Sequence, residues 1–220
     1  FELSSLPLYD PGRDIVVTAI SERYNVGEGL LISPNGFDQA SDLKLKSGSL
    51  VMVYDVRQGN QLLALHPSLR LMYSDIAIDE KITTFTNGEC DALLLSKNEY
   101  EILVDNKSAY FYLPLHPKEM IPRPGHGITA YVAHKDDIKT RKILKNIHHA
   151  DVVTVCNVER KVMQLAKPAS YHSIGVYCYT DQKGYFHVDA VSCDEFKKIT
   201  LSQNISSDLA DKIYVSLLKP

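Results

Sequence analysis

The densest run of chemistry-bearing side chains is His148-His149-Ala150-Asp151, with seven residues between the aspartate and Glu159-Arg160-Lys161. Two carboxylates and a cation this close are worth weighing as a site, although charges at the end of an exposed strand are the blander reading. Cys156 together with His172 or His187 could form a thiol–imidazole pair, in which the base draws the proton from the nucleophile. A cysteine at a strand end lacks the helix N-terminus that usually lowers a thiol pKa, so a buried, inert thiol is the competing reading. His126 and His134 flank a strand at i and i+8 and share a face, which suits a metal as well as it suits two packing or surface imidazoles. Tyr110-Phe111-Tyr112 is the densest aromatic cluster. Strand alternation puts Tyr110 and Tyr112 together, as cover for a sheet edge or a partner contact.

Composition narrows the classes. The 220 residues carry 24 Lys and Arg against 27 Asp and Glu, a formal charge of −3, which argues against a protein built mainly to grip a phosphate backbone. The four cysteines, Cys90, Cys156, Cys178 and Cys193, form no Cys-x-x-Cys clip. Free buried thiols in an intracellular, reducing compartment are expected. No apolar run approaches the roughly 20 residues of a membrane-spanning helix. The chain starts at Phe1 rather than Met, which suits a processed chain or an excised domain.

Period-two patterning dominates the elements that must position these groups. Strands are expected at 14–20, 29–33, 49–56, 61–65, 74–78, 92–95, 101–104 and 109–113, with Gln58-Gly59-Asn60 as a hairpin turn. Four prolines in 114–125 make that stretch an extended connector. The predicted organisation is an N-terminal β unit over 1–113, a Pro-rich connector over 114–126 and a C-terminal β unit over 127–220. The second unit holds strands at 127–133, 151–155, 161–165, 174–179 and 185–191. Helices are confined to 135–149 and 206–219. The fold class is thus mainly β, as two antiparallel barrel-like halves with one internal helix and one C-terminal helix.

Two stretches resemble the chymotrypsin-like serine and cysteine protease fold. Gly27-Glu28-Gly29-Leu30-Leu31-Ile32-Ser33-Pro34-Asn35-Gly36 is similar to the opening of that family's first barrel. Ser173-Ile174-Gly175-Val176-Tyr177, running through Asp181-Gln182-Lys183-Gly184 to Val188, is similar to the hairpin after its nucleophile. The resemblance puts Asp75, in Asp75-Ile76-Ala77-Ile78, at the triad aspartate, and implies Ser173 as nucleophile. No histidine lies between Phe37 and Leu43, where a triad needs one. His66 is the first-half substitute. The flanking glycines of an oxyanion hole are also missing around Ser173. The resemblance therefore implies a divergent protease, of the kind cut from a viral polyprotein, or a domain that has lost catalysis and binds a protein or peptide.

The runner-up comes from another class. Asp151 followed by Glu159-Arg160-Lys161 resembles the core of PD-(D/E)xK nucleases, which implies that Asp151 and Glu159 hold Mg²⁺ while Lys161 steadies water or phosphate. Magnesium and a nucleic-acid partner belong to this alternative alone. Otherwise no cofactor, no metal and no membrane partner are expected, and whether the chain is an enzyme stays open.

Overall fold

A computed structural model of the chain describes residues 1–6, 14–103, 107–166 and 172–218. In chain order its strands are β1 (Ile15–Arg23), β2 (Glu28–Ile32), β3 (Leu50–Val53), β4 (Arg70–Tyr73), β5 (Ala92–Ser96), β6 (Phe111–Pro114), β7 (Ile128–His134), β8 (Ile174–Thr180), β9 (Phe186–Ser192) and β10 (Lys197–Gln203). The helices are α1 (Val56–Leu65), α2 (Ile78–Thr86), α3 (Lys97–Leu103), α4 (Ile138–Leu144), α5 (Ala150–Leu165) and α6 (Leu209–Leu218). The chain divides into two compact units, one made of Asn25–Met120 with Cys193–Phe196, the other of Phe1–Tyr24, Ile121–Ser192 and Lys197–Pro220.

The first of these units is built on a five-stranded sheet in the order β4-β3-β5-β2-β6. Strands β4, β3 and β5 run parallel, and β2 is antiparallel to both β5 and β6. Apart from Glu28 and Ser96 its central strands are apolar, as a sheet covered on both faces requires. Alternation then divides them. Leu30, Ile32, Val51, Val53, Ala92 and Leu94 pack with Leu62 of α1. Leu31, Met52, Leu93 and Leu95 pack with Phe85 of α2. Each helix thus covers one face, and cutting Phe85 back to alanine would cost about 3–5 kcal/mol.

The other unit holds a three-stranded antiparallel sheet, β10-β9-β8, and a two-stranded ribbon of β1 with β7. Helices α5 and α6 cover the three-stranded sheet. Val155, Val158 and Val162 meet Ile174, Val176, Val188 and Ala190, with Leu209, Ile213 and Leu217 of α6 closing the cluster. The ribbon packs Ile20, Ile128 and Ala130 against Cys156 and Leu3.

This is a mixed α/β architecture, and the expectation of two β-barrel halves is wrong: among the described residues the three sheets are open. The spans read as strands at 151–155 and 161–165 are both parts of α5. Its valines suggested β structure, but the buried positions Val155, Cys156, Val158, Glu159 and Val162 recur at helical spacing. The hairpin expected around Gln58-Gly59-Asn60 is helix α1, and residues 61–65 are its last turns. Residues 101–103 belong to α3; Val104 lies outside the described residues. The span expected as a strand at 74–78 is the loop after β4, with Ile78 opening α2, while β10 went unread. The helix expected over 135–149 is the shorter α4 with a 3-10 turn, Lys145–Ile147. Among the described residues no helix is long and apolar enough to cross a membrane.

Candidate functional site

Topology selects one place in the five-stranded sheet. From β3 the chain crosses through α1 to β4, and from β4 through α2 to β5 on the other side of β3. The connections leaving β3 and β5 therefore diverge. The crevice beyond the carboxyl ends of such a strand pair is where open α/β sheets take their ligands. Tyr54 and Asp55 follow β3 there, Ser96 ends β5, and Glu28 of β2 pairs with Ser96.

Around this end lies a buried ionic cluster. Arg57, in the first turn of α1, is 1% exposed. Its Nη2 donates to Glu28 Oε1 at 2.8 Å and its Nη1 to Glu28 Oε2 at 3.1 Å. Gln58 Nε2 donates to the same Oε1 at 2.8 Å, and Gln58 Oε1 accepts from the Tyr54 amide at 2.7 Å. Asp55 caps α1 by accepting the Gln58 amide at 2.8 Å, and its other oxygen lies 3.8 Å from Arg57 Nε. Burial opposes the charge on Arg57, but Glu28 and Asp55 outweigh it and hold the guanidinium above its ordinary pKa.

Aromatic side chains also lie along this sheet. The Tyr54 ring is 44% exposed, and Lys81 of α2 places Nζ 4.5 Å from its centroid. Tyr112 of β6 stacks on Tyr100 of α3, centroids 3.9 Å apart and planes within 4°. Tyr112 can lie across β2 because residue 29 is glycine: a Cβ there would come within 2.4 Å of the ring. Its hydroxyl is buried with no hydrogen-bond partner among the described residues, and burial pushes its pKa up to about 12.

The other unit carries a second buried carboxylate. Glu159 of α5 is fully buried. It accepts from Arg23 Nη1 and Nη2 at 2.8 and 2.7 Å, from the Gly125 amide at 2.7 Å and from the Cys178 amide at 2.7 Å. One side chain thereby ties α5 to β1, to β8 and to the segment before β7. Burial opposes the Arg23 charge too, yet Glu159 leaves its pKa raised.

These placements separate the residues singled out by the sequence. Asp75 is exposed between β4 and α2. His66 caps the end of α1, its Nδ1 3.0 Å from Ser68 Oγ. Ser173 is buried just before β8 in the other unit. Asp151 stands exposed in the first turn of α5, two turns from the internally satisfied Glu159, and Lys161 pairs with Asp211 at 2.5 Å. No metal pair of Asp151 and Glu159 forms, because a helix rather than a hairpin carries them. Cys156 is buried, and His187 bonds Ser202 and Asp181. His126 bonds Glu2 at 2.7 Å, and His134 lies among Asp14 and Asp136. Among the described residues no three metal-ligating side chains gather. Glu28 and Arg57 went unremarked in the sequence. The local clue was Asp55-x-x-Gln58, a helix-start signature; nothing local pairs Arg57 with a residue 29 positions away.

Comparison with known proteins identifies the family. The model for the porphobilinogen deaminase, dipyromethane cofactor binding domain matches residues 6–142, more than half of the chain and all of the crevice. A porphobilinogen deaminase of an Exiguobacterium species is 24% identical over 74% of this chain and 52% of its own length. That of Chloroherpeton thalassium is 26% identical over 84% of this chain and 56% of its own. A probable porphobilinogen deaminase of Nitrosopumilus maritimus is 26% identical over 90% and 66%. The chain spans a little over half the length of the first two relatives. These matches overturn the protease resemblance, with its viral and non-catalytic corollaries, and the nuclease alternative. They also overturn the expectation of no cofactor, since the matching domain is a cofactor-binding one. The chain belongs to the porphobilinogen deaminase family.

Proposed function

We propose that this chain supplies the cofactor-binding part of a porphobilinogen deaminase and takes porphobilinogen-derived pyrroles at the crevice beyond β3 and β5. The observation that carries the reading is the family match over residues 6–142, which includes every residue of that crevice. The donor set fits a pair of pyrroles. Tyr54 offers an exposed ring for a flat heterocycle to stack on. The buried Tyr112 hydroxyl without a partner is a polar group a pyrrole N–H could satisfy. Once bound, the dipyrromethane would supply the growing end to which further pyrrole units attach. The chain's own residues would bind and orient it, with Glu28 keeping Arg57 in place.

Intracellular placement belongs to the same proposal and draws support from four free cysteines. Binding is the appropriate readout, because the chain covers only part of its relatives. Calorimetric titration of the chain with porphobilinogen should show saturable binding that Tyr54→Ala weakens about tenfold, the worth of one aromatic stack. Absence of binding by the wild-type chain would reject the proposal.

A further inference from the structure

The three-stranded sheet β10-β9-β8 has two unlike faces. Ile174, Val176, Cys178, Val188 and Ala190 point to the side that α5 and α6 cover. Alternation puts Tyr177, Tyr179, His187, Asp189 and Thr200 on the other side. There Tyr177, Tyr179 and His187 form a run of stacked rings, with successive centroids 5.3 and 5.0 Å apart. All three side chains are half-buried rather than covered.

One row across this face carries unmet polar groups. Tyr177 of β8 pairs in register with Asp189 of β9, and Asp189 with Thr200 of β10. Asp189 is 2% exposed. Its Oδ1 accepts the Thr200 hydroxyl at 2.6 Å, while its Oδ2 is buried with no hydrogen-bond partner among the described residues. Arg23 reaches the same row from the outer edge of β8, where its Nη1 donates to the Cys178 carbonyl at 3.0 Å. Its guanidinium carbon lies 5.5 Å from the Tyr177 centroid. Glu159 takes both Nη atoms, but Nε is buried and has no partner among the described residues. One ring thus stands between an orphaned acceptor on the neighbouring strand and an orphaned donor at the sheet edge. Burial raises the Tyr177 pKa, Arg23 opposes this, and Glu159 and Asp189 add to it, so all three charges act on the ring. A buried polar atom without a partner is costly, and more so when it is charged.

We infer that the open face at Tyr177 is a second ligand site, and that it takes a small flat ring with a primary ammonium at one end and a carboxylate at the other. The ammonium goes to Asp189 Oδ2 and the carboxylate to Arg23 Nε. The ring lies against Tyr179 once the half-buried Tyr177 side chain swings outward. Each orphan then gains the partner it lacks. The probe is para-(aminomethyl)benzoate, titrated into the labelled chain and followed by two-dimensional amide NMR. Shifts should gather at Tyr177, Asp189 and Thr200 and saturate at millimolar probe. Benzylamine lacks the carboxylate and para-methylbenzoate lacks the ammonium. Each should bind the wild-type chain about tenfold more weakly, the worth of one charge-assisted hydrogen bond. Asp189→Asn keeps an acceptor for Thr200 and removes the unmet charge. It should weaken the probe by a similar factor without lowering the melting temperature. Tyr54→Ala, in the other unit, should leave the shifts unchanged. No shifts at the three amides, or equal binding of the three compounds, overturns the inference. So does an Asp189→Asn variant that melts earlier and binds the probe as well as the wild type, for the carboxylate then serves the fold alone.

Discussion

Glu159 and Arg23 meet in a two-pronged ion pair, 2.7 and 2.8 Å, although 136 residues separate them in sequence. The carboxylate has no water to fall back on, and its remaining bonds go to the amides of Gly125 and Cys178. Removing one member of a buried pair leaves the other charge uncompensated, which costs about 3–5 kcal/mol. Glu159→Ala should therefore destabilise its unit by that amount in urea unfolding followed by tyrosine fluorescence. Faster hydrogen exchange at the Gly125 and Cys178 amides should accompany it. Exchange unchanged at both amides would contradict the tie.

Arg57 and Glu28 make a parallel case in the other unit, with a different consequence. Glu28→Ala should cost about 3–5 kcal/mol by the same reasoning, and Arg57→Ala a similar amount. The double substitution should cost clearly less than the two single losses added together, since neither charge is then stranded. A double-mutant cycle by chemical denaturation checks this. Simple additivity would mean the pair does not couple.

Acid should expose the contact between Glu2 and His126. Burial raises the Glu2 pKa, but the hydrogen bond and charge of His126 overcome this and hold the carboxyl at about 2, against an ordinary value near 4.5. A carboxyl depressed by folding contributes stability that is fully present above pH about 4.5 and lost as pH falls toward about 2. Melting temperature followed from pH 6 to pH 2 should fall more for the wild-type chain than for Glu2→Gln, with the two curves converging at the acid end. Curves that stay parallel across the window would show that the contact is not coupled to folding.

Gly175 of β8 leaves no room for a side chain. A Cβ there would sit 2.6 Å from the backbone oxygen of Ile121, in a segment fixed by the bond from the Val176 amide to Pro122 O at 3.0 Å. Backbone on that side cannot rotate away, so Gly175→Ala should cost about 1–3 kcal/mol as overpacking. Gly59 is the control. The atoms a Cβ would meet there are the side chains of Tyr73 and Leu71, and Tyr73 is exposed. Alanine also favours the helix, so Gly59→Ala should be close to neutral. Equal losses at both sites in thermal unfolding would refute the distinction.

Much of the strand content was legible and most of the helix content was not. Strands β2 and β5 read correctly because Gly29–Ile32 and Ala92–Leu95 are short apolar runs bounded by turn signals, which is how a doubly covered strand is written. Helix α5 was missed because Val152, Val153 and Val155 favour strands locally, while the helical recurrence of Val155, Val158, Glu159 and Val162 shows only across the whole sixteen residues. Helix α1 was missed because Gln58-Gly59-Asn60 is turn-like in isolation. The glycine sits inside the helix, facing the Tyr73 and Leu71 side chains, rather than in a turn. With α1 read as a hairpin and α2 not read at all, the β3-α1-β4-α2-β5 crossover disappears, and with it the crevice. Tyr112 was noticed as an aromatic at a sheet edge, but its stacking on Tyr100 depends on α3, which was read as a strand.

The account stands or falls on where a pyrrole binds. Two-dimensional amide NMR of the labelled chain, titrated with porphobilinogen, locates it directly. Shifts should gather at Tyr54, Asp55, Ser96 and Lys97, at the carboxyl ends of β3 and β5, with Glu28 and Tyr112 following. No shifts at millimolar porphobilinogen, or shifts confined to the unit that holds β8, β9 and β10, would contradict it.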